Sequence, residues 1–117
     1  MKSRYTIKKN SDFRRIYAKG KSAVSPYLVV YCRKNKGTDI RTGFTVSAKI
    51  GNAVTRNTVR RRLRDIFRRN SKNICPGLDI IIVARSKAVH ADFSTLSSCF
   101  SECCSRLNIL NNPESLE

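Results

Sequence analysis

The stretch KIGNAVTRNTVRRRLRDIFRR, residues 49–69, decides how the rest of the chain is read. Eight of its 21 residues are Lys or Arg, and Asp65 alone opposes them. Val59, Leu63, Ile66 and Phe67 recur at i, i+4, i+7 and i+8, one apolar stripe at helical period. Asn57, Arg60, Arg61, Arg64 and Arg68 fall opposite or beside that stripe, and Arg62 and Arg69 lie on a third side. Such a helix packs one face into a core and presents a row of guanidinium groups on another. Asn52 is the candidate N-cap, which sets Arg56 and Asn57 in the first turns, where free backbone N–H groups favour anions.

A face meant only for water mixes signs and gains from i,i+4 Glu–Lys pairs. Here Arg60–Arg64 and Arg64–Arg68 are like-charge pairs at that spacing, and Arg61–Asp65 is the only compensating one. Each like pair costs an isolated helix a few tenths of a kcal/mol, and a polyanion reverses the loss. Arg in place of Lys points to planar, bidentate phosphate contacts.

The charge is local. Residues 1–70 hold 20 of the 24 basic residues and three acids, whereas residues 71–117 hold four basic residues and five acids. With a pI near 10.4 in a 117-residue chain, nucleic acid is the first partner class to consider and an anionic membrane the second. The length fits one domain, residues 1–117, and 40% hydrophobic content supports a packed core rather than disorder. The N-terminus has charge but no apolar signal-peptide core, and no apolar run is long enough to span a membrane. The expected location is the cytoplasm. Five cysteines without a CxxC pair, and with no histidine near them, read as small core residues rather than metal ligands. Cys99 and Cys103, at i,i+4, are the one pair that shares a helix face.

The remaining chain reads as α-β-β-α-β-α, a single-domain α+β sandwich. Residues 1–9 read as a flexible basic arm. SDFRRIYAKG is a short helix that Asn10 or Ser11 caps and Gly20 ends as a C′ residue. Phe13, Ile16 and Tyr17 share one face of it, flanked by Arg14 and Arg15. Phe13 and Tyr17 read equally well as core aromatics and as a stacking platform for unpaired bases. YLVVYCR (27–33) is a strand with Tyr27, Val29 and Tyr31 on one face and Leu28, Val30 and Cys32 on the other. KNKGTD (34–39) is a turn and RTGFTVS (41–47) a second strand, so these two strands are expected to pair as an antiparallel hairpin. LDIIIVAR (78–85) is apolar enough for a central position. If parallel to 41–47, it closes a βαβ crossover around the arginine helix. An amphipathic helix starts near Asp92, and NNPESLE (111–117) is a frayed tail.

No catalytic constellation stands out. Metal-dependent phosphodiester cleavage needs clustered carboxylates, but the eight acids are scattered, without DxD or ExxD pairs. A metal-free ribonuclease commonly uses a pair of acid–base groups, and His90 is the single histidine. No phosphate-cradling GxxxxGK[ST] loop is present. Neither catalytic nor metal-ligating residues are therefore assigned.

Nearly the whole chain resembles the protein subunit of bacterial ribonuclease P. The resemblance rests on KKNSDFRRIYAKGKS, on YLVVYC, on RTGFTVSAKIGNAVTRNTVRRRLRDIFR and on DIIIVAR before a last amphipathic helix. The GNAV-x-RN-xx-[KR]R-xx-R run carries it most specifically. The resemblance implies a subunit that binds a catalytic RNA, which itself hydrolyses the 5′ leader from precursor tRNA with Mg2+. The protein binds no cofactor of its own in this picture. It implies catalytic-RNA contacts at Lys49, Arg56, Asn57, Arg60, Arg61, Arg64 and Arg68. It also implies a leader-binding cleft at Phe13, Tyr17 and Tyr31, with Arg14, Thr45 and Ser47 beside it, and a left-handed crossover, against the usual right-handed preference. Two positions depart from the family pattern. Thr58 stands where a second Arg is usual after Arg-Asn, and Ala48 stands where a lysine often precedes Lys49. A generic RNA-binding module, of ribosomal or chaperone type, is the alternative. Reading of DNA by residues 52–69 fits less well, because so arginine-dense a helix grips backbone more than it reads bases. No DNA or membrane partner is expected.

Overall fold

The computed structural model describes residues 6–110. The elements run α1 (Asn10–Lys19), β1 (Lys21–Val24), β2 (Leu28–Lys34), β3 (Arg41–Thr45), α2 (Ala53–Asn70), β4 (Leu78–Ala84) and α3 (Phe93–Leu107). The α+β class and the three helices agree with the sequence reading. Two features of the sheet do not.

The four strands lie in the order β1-β2-β4-β3. The expected hairpin between residues 27–33 and 41–47 does not form. β4 enters between those strands, antiparallel to β2 (Tyr31 opposite Ile81) and parallel to β3 (Gly43 opposite Ile81). The reason is burial. Six of the seven residues of β4 are buried, so it takes an interior place in the sheet, with a strand on each edge and helices over both faces. β3, with Arg41, Thr42 and Gly43, takes the outside. Since β3 and β4 are parallel neighbours joined through α2, the βαβ crossover is present. The second difference is β1, which the sequence reading omitted. Lys21–Val24 is too short and polar to show a strand pattern, and it pairs along β2 with Ala23 opposite Val30.

The sheet has two occupied faces. Leu28, Val30 and Cys32 of β2 join Ile80, Ile82 and Ala84 of β4 against Val59, Leu63, Ile66 and Phe67 of α2. Leu96, Phe100, Cys103, Cys104 and Leu107 of α3 complete this core. The apolar stripe of the arginine stretch is thus its core face. Asn52 caps α2, its side chain accepting the Thr55 N–H at 2.9 Å. All five cysteines are free thiols. Burial raises the pKa of the Cys32 and Cys103 thiols and pushes that of Cys104 up to about 12, so these three act as small apolar side chains.

The opposite face carries a smaller core of Ile7, Ile16 and Ile81, with Phe13, Tyr31 and Val83 packed around it. Of the basic arm expected over 1–9, residues 1–5 lie outside those described. Thr6 and Ile7 are not free: Thr6 bridges to Thr42 and the Ile7 N–H donates to the Thr42 carbonyl at 2.7 Å, which covers the β3 edge. The expected tail, 111–117, also lies outside the described residues.

Helix α1 starts from Lys9, whose side chain makes no cap bond, rather than from a capping Asn10 or Ser11. Gly20 ends α1, but not in the left-handed conformation expected of a C′ glycine. Its backbone is extended (φ −79°, ψ 170°). The demand is for space: a Cβ there would lie 2.6 Å from the carbonyl oxygens of both Cys32 and Ile16. Gly43 meets a similar demand on β3, where a Cβ would lie 2.7 Å from the tip of the Phe13 ring.

A buried carboxylate fixes the corner where β2 leaves for β3. Asp79 accepts two bonds from Arg41 (2.8 and 2.6 Å) and one from Asn35 Nδ2 (3.0 Å). Burial works against its charged form, but the bonds from Arg41 and Asn35 outweigh that and hold the carboxyl below its ordinary 3.8. Asn35 also donates to the Asp39 carbonyl, and its Oδ1 accepts the Gly37 N–H.

Gly20→Ala is expected to cost at least ~2 kcal/mol in urea denaturation, because the clash is with backbone on both sides. Gly37→Ala is the control: its nearest contact would be 3.7 Å, and stability should change little. Asp79→Asn should cost ~2–3 kcal/mol at neutral pH, less than a fully enclosed pair because Arg41 is a third open to solvent. Since folding lowers the Asp79 pKa, its contribution is complete above the ordinary carboxylate range and is lost as pH falls through the lower folded value. The stability gap between wild type and Asp79→Asn should therefore hold steady down to pH 3.8 and close below it.

Candidate nucleic-acid interface

The outward side of α2 is built as the charge pattern requires. Asn57, Arg61, Arg64, Arg68 and Arg69 are exposed, while Arg56, Arg60 and Arg62 are half-buried. The Arg60 guanidinium donates to Asn57 Oδ1 at 2.8 Å, so the two signature residues form one unit. Arg61, Arg64 and Arg68 line a groove of about 940 Å³ along α2, whose apolar side is Phe44, Phe67 and Phe93. Two guanidiniums sit over rings there, Arg64 at 5.9 Å from the centre of Phe44 and Arg69 at 4.9 Å from that of Phe93. Stacking of this kind leaves the edges of the Arg64 guanidinium available for phosphate.

The compensating pair expected between Arg61 and Asp65 is not formed. Asp65 turns instead toward the end of the helix, accepting from Arg68 and lying 3.3 Å from Arg69. Partial burial opposes ionisation of Asp65, and the two arginines overcome it and hold the carboxyl below the usual range. Arg61 is left outside that pair, which sharpens the excess of positive charge at mid-helix. Lys49 lies exposed on the turn Ala48–Ile50 that leads into α2. Arg56 Nε is buried without a hydrogen-bond partner. Neither residue lines the groove.

The second predicted set lies on the other face of the sheet. The Tyr17 and Tyr31 rings meet edge to face at 4.8 Å, and Phe13 and Tyr17 lie 6.2 Å apart. The hydroxyls of Tyr17 and Thr45 hydrogen-bond at 2.8 Å. Phe13 and Tyr31 pack on the small Ile7–Ile16–Ile81 core, whereas Tyr17 is 37% exposed and offers ring surface to solvent. Arg14 and Ser47 are exposed. Sequence reasoning missed Gly43, on which Phe13 rests, although a glycine inside a strand is itself a sign of close approach. It also missed Phe44, the ring beneath Arg64, whose alternation toward α2 becomes evident only once β3 is placed.

Three of the acidic side chains are paired with arginines. Asp12 lies 3.7 Å from Arg15 and 3.9 Å from Arg41, Asp79 is held by Arg41, and Asp65 by Arg68 and Arg69. Among the described residues no group of three or more His, Cys, Asp or Glu is placed to hold an ion, and no helix is long and apolar enough to cross a membrane.

A family model described as Ribonuclease P matches residues 1–108. The ribonuclease P protein component of Clostridioides difficile (strain 630) is 41% identical over 104 residues, 88% of this chain and 91% of that protein. The one from Thermoanaerobacter sp. (strain X514) is 46% identical over 92 residues, 79% of each chain. Among solved structures, the RNase P protein of Staphylococcus aureus superposes with a TM-score of 0.83 at 37% identity, covering 92% of this chain and 98% of that one. The RNase P protein of Thermotoga maritima gives 0.76 at 36% identity, covering 83% and 92%. A family model matched over residues 1–108, relatives at this identity over most of both chains and solved structures of the same fold show that the chain belongs to the bacterial ribonuclease P protein family.

Proposed function

We propose that the chain binds the catalytic RNA of ribonuclease P through the exposed side of α2, and the single-stranded 5′ leader of precursor tRNA through the cleft between α1 and the sheet. The observation that carries this reading is the separation of two different RNA-binding chemistries on the two faces of one sheet. Guanidiniums along α2 suit a structured backbone, with Arg61, Arg64 and Arg68 aligned on one groove and Asn57, Arg60 and Arg56 toward the helix start. Lys49 extends this surface at the entry to α2. The Phe13–Tyr17–Tyr31 cluster suits unpaired bases, which stack at little cost in sequence preference. Thr45 fixes the Tyr17 ring, and Arg14 and Ser47 flank the cleft as phosphate contacts.

In this reading the protein positions substrate, and hydrolysis with Mg2+ belongs to the RNA. The pairing of Asp12, Asp65 and Asp79 with arginines supports that division. Thr58 agrees with it too. Its hydroxyl bonds back to the Val54 carbonyl at 3.0 Å, so no charge replaces the arginine usual in the family, and Arg60–Arg62 supply cations one turn further on. A soluble ribonucleoprotein in the cytoplasm is the corresponding setting.

The deciding experiment incubates end-labelled precursor tRNA with the protein, with its cognate catalytic RNA, and with both, at low magnesium. Cleavage at the mature 5′ end is expected only in the mixture. Cleavage by the protein alone would reveal an overlooked active site, and tight RNA binding without stimulation would favour a generic RNA-binding module. Arg61→Ala and Arg64→Ala should each weaken catalytic-RNA binding and lower the log–log salt slope by about one unit for each phosphate no longer neutralised. Wild-type affinity and slope in both would remove α2 from the interface. Phe13→Ala and Tyr17→Ala should weaken leader-bearing tRNA by ~1–3 kcal/mol while mature tRNA is unaffected. Equal losses on the two RNAs would assign the rings to the core alone.

A further inference from the structure

We infer that Arg68 and Arg69 form a pre-arranged phosphate clamp at the far end of the α2 groove, and that Asp65 and Phe93 are its positioning residues. The clamp adds Arg69, and with it the start of α3, to the surface that meets the catalytic RNA. This inference rests on the proposed role of α2 in binding that RNA.

Helical period sets Arg69 to one side of the arginine row, yet it lines the same groove as Arg61, Arg64 and Arg68. Contacts from two elements hold it there. Its Nε lies 3.3 Å from Asp65 Oδ2, within α2, and its guanidinium carbon sits 4.9 Å from the centre of the Phe93 ring, on α3. The other carboxylate oxygen of Asp65 accepts from Arg68 Nη2. One carboxylate therefore ties the two guanidiniums together. Phe93 is itself fixed in place. It packs against the main core, and Asp92 caps the helix that Phe93 begins, accepting the Thr95 N–H at 2.7 Å.

Asp65 lowers the charge of this end of the helix and also fixes its geometry. Two arginines share one carboxylate, so the trio stays positive. The side chains of Arg68 and Arg69 are 76% and 65% exposed, so the pairing does not hide them. Asp65 engages one edge of each guanidinium, and the remaining N–H donors of each fork stay open to an anion. A free arginine loses much rotamer freedom when it grips a phosphate. Here part of that freedom is already given up on folding, so binding costs less.

The chemistry of the groove identifies the occupant. Planar guanidinium forks match phosphate oxygens, and the groove runs without a break from this clamp to Arg61 and Arg64. The phosphates it takes therefore belong to the RNA that α2 binds. Asp65 then acts against the sign of its own charge. An acid on a polyanion-binding face weakens the complex through its field, and its removal alone would tighten binding. A positioning residue does the reverse.

The test measures binding of the cognate catalytic RNA to the full chain over a series of salt concentrations. Asp65→Asn removes a negative charge at constant size and should nonetheless bind about fivefold more weakly. Asp65→Glu, which keeps the carboxylate, should restore binding. Tighter or unchanged binding by Asp65→Asn overturns the inference. Arg69→Ala should lower the log–log salt slope by about one unit, and an unchanged slope overturns the clamp. Phe93→Leu should weaken binding and Phe93→Tyr, which keeps the ring, should not. In a background of Arg69→Ala the effect of Phe93→Leu should vanish, and that of Asp65→Asn should shrink to what acts through Arg68. Losses that add in full would make both residues structural only and overturn their positioning role. Precursor tRNA binding by the assembled holoenzyme, measured in parallel, separates the two RNAs: losses confined to that step overturn the assignment to the catalytic RNA. Arg61→Ala separates the two levels. If it weakens binding and Arg69→Ala does not, only the clamp fails; if neither acts, the reading of α2 itself fails.

Discussion

The burial of β4 on both faces is the constraint from which the rest follows. A strand reading LDIIIVA has no solvent-tolerant side except Asp79, and that carboxylate is met by Arg41 and Asn35. Covering its two faces takes α1 on one side and α2 with α3 on the other. The aromatic cluster and the arginine face are therefore obliged to lie on opposite sides of the sheet, rings on the thin α1 layer and guanidiniums on the thick α2–α3 layer.

The arginine helix shows how packing overrides a local cost. Its like-charge pairs disfavour the helix in isolation, by tenths of a kcal/mol at each pair. Burial of Leu63, Val59, Ile66 and Phe67, each 2% exposed or less, outweighs this by a wide margin, since truncating one such side chain costs ~2–5 kcal/mol. The core face thus holds in place a charge pattern that would not hold itself. Asp65, drawn to Arg68 and Arg69, quiets the end of the helix and leaves its middle uncompensated.

What the sequence made legible is what depends on local period. The stripe of α2, its Asn52 cap, the alternation of β2 and the centrality of β4 all follow from spacing within one element. What it concealed depends on neighbours remote in the chain. Nothing local distinguishes a β2–β3 hairpin from two strands parted by a third that arrives some 40 residues later, and four residues such as KSAV carry too little pattern to announce an edge strand. The candidate site divides in the same way. Arginine positions were readable from the helix, whereas the placement of Tyr17 against Tyr31 and Thr45, and the diversion of Asp65 from Arg61, were set by tertiary geometry. The GNAV-x-RN-xx-[KR]R-xx-R run and the KKNSDFRRIYAKGKS stretch pointed to the family more sharply than any periodicity did.

The insertion of β4 between β2 and β3 also fixes an order of events in folding. β2 and β3 are successive in the chain, yet neither meets its shared partner until residues 78–84 are available. Sheets closed by such distant pairings form slowly, because loop entropy is spent before the pairing returns it. Until then the chain is a strongly cationic segment with two unpaired strand edges. Mutual repulsion keeps such segments apart in solution, and an RNA that binds only the closed sheet draws the equilibrium toward it by mass action. The positive charge of the finished surface thus acts earlier as well, keeping half-made sheets from pairing with one another.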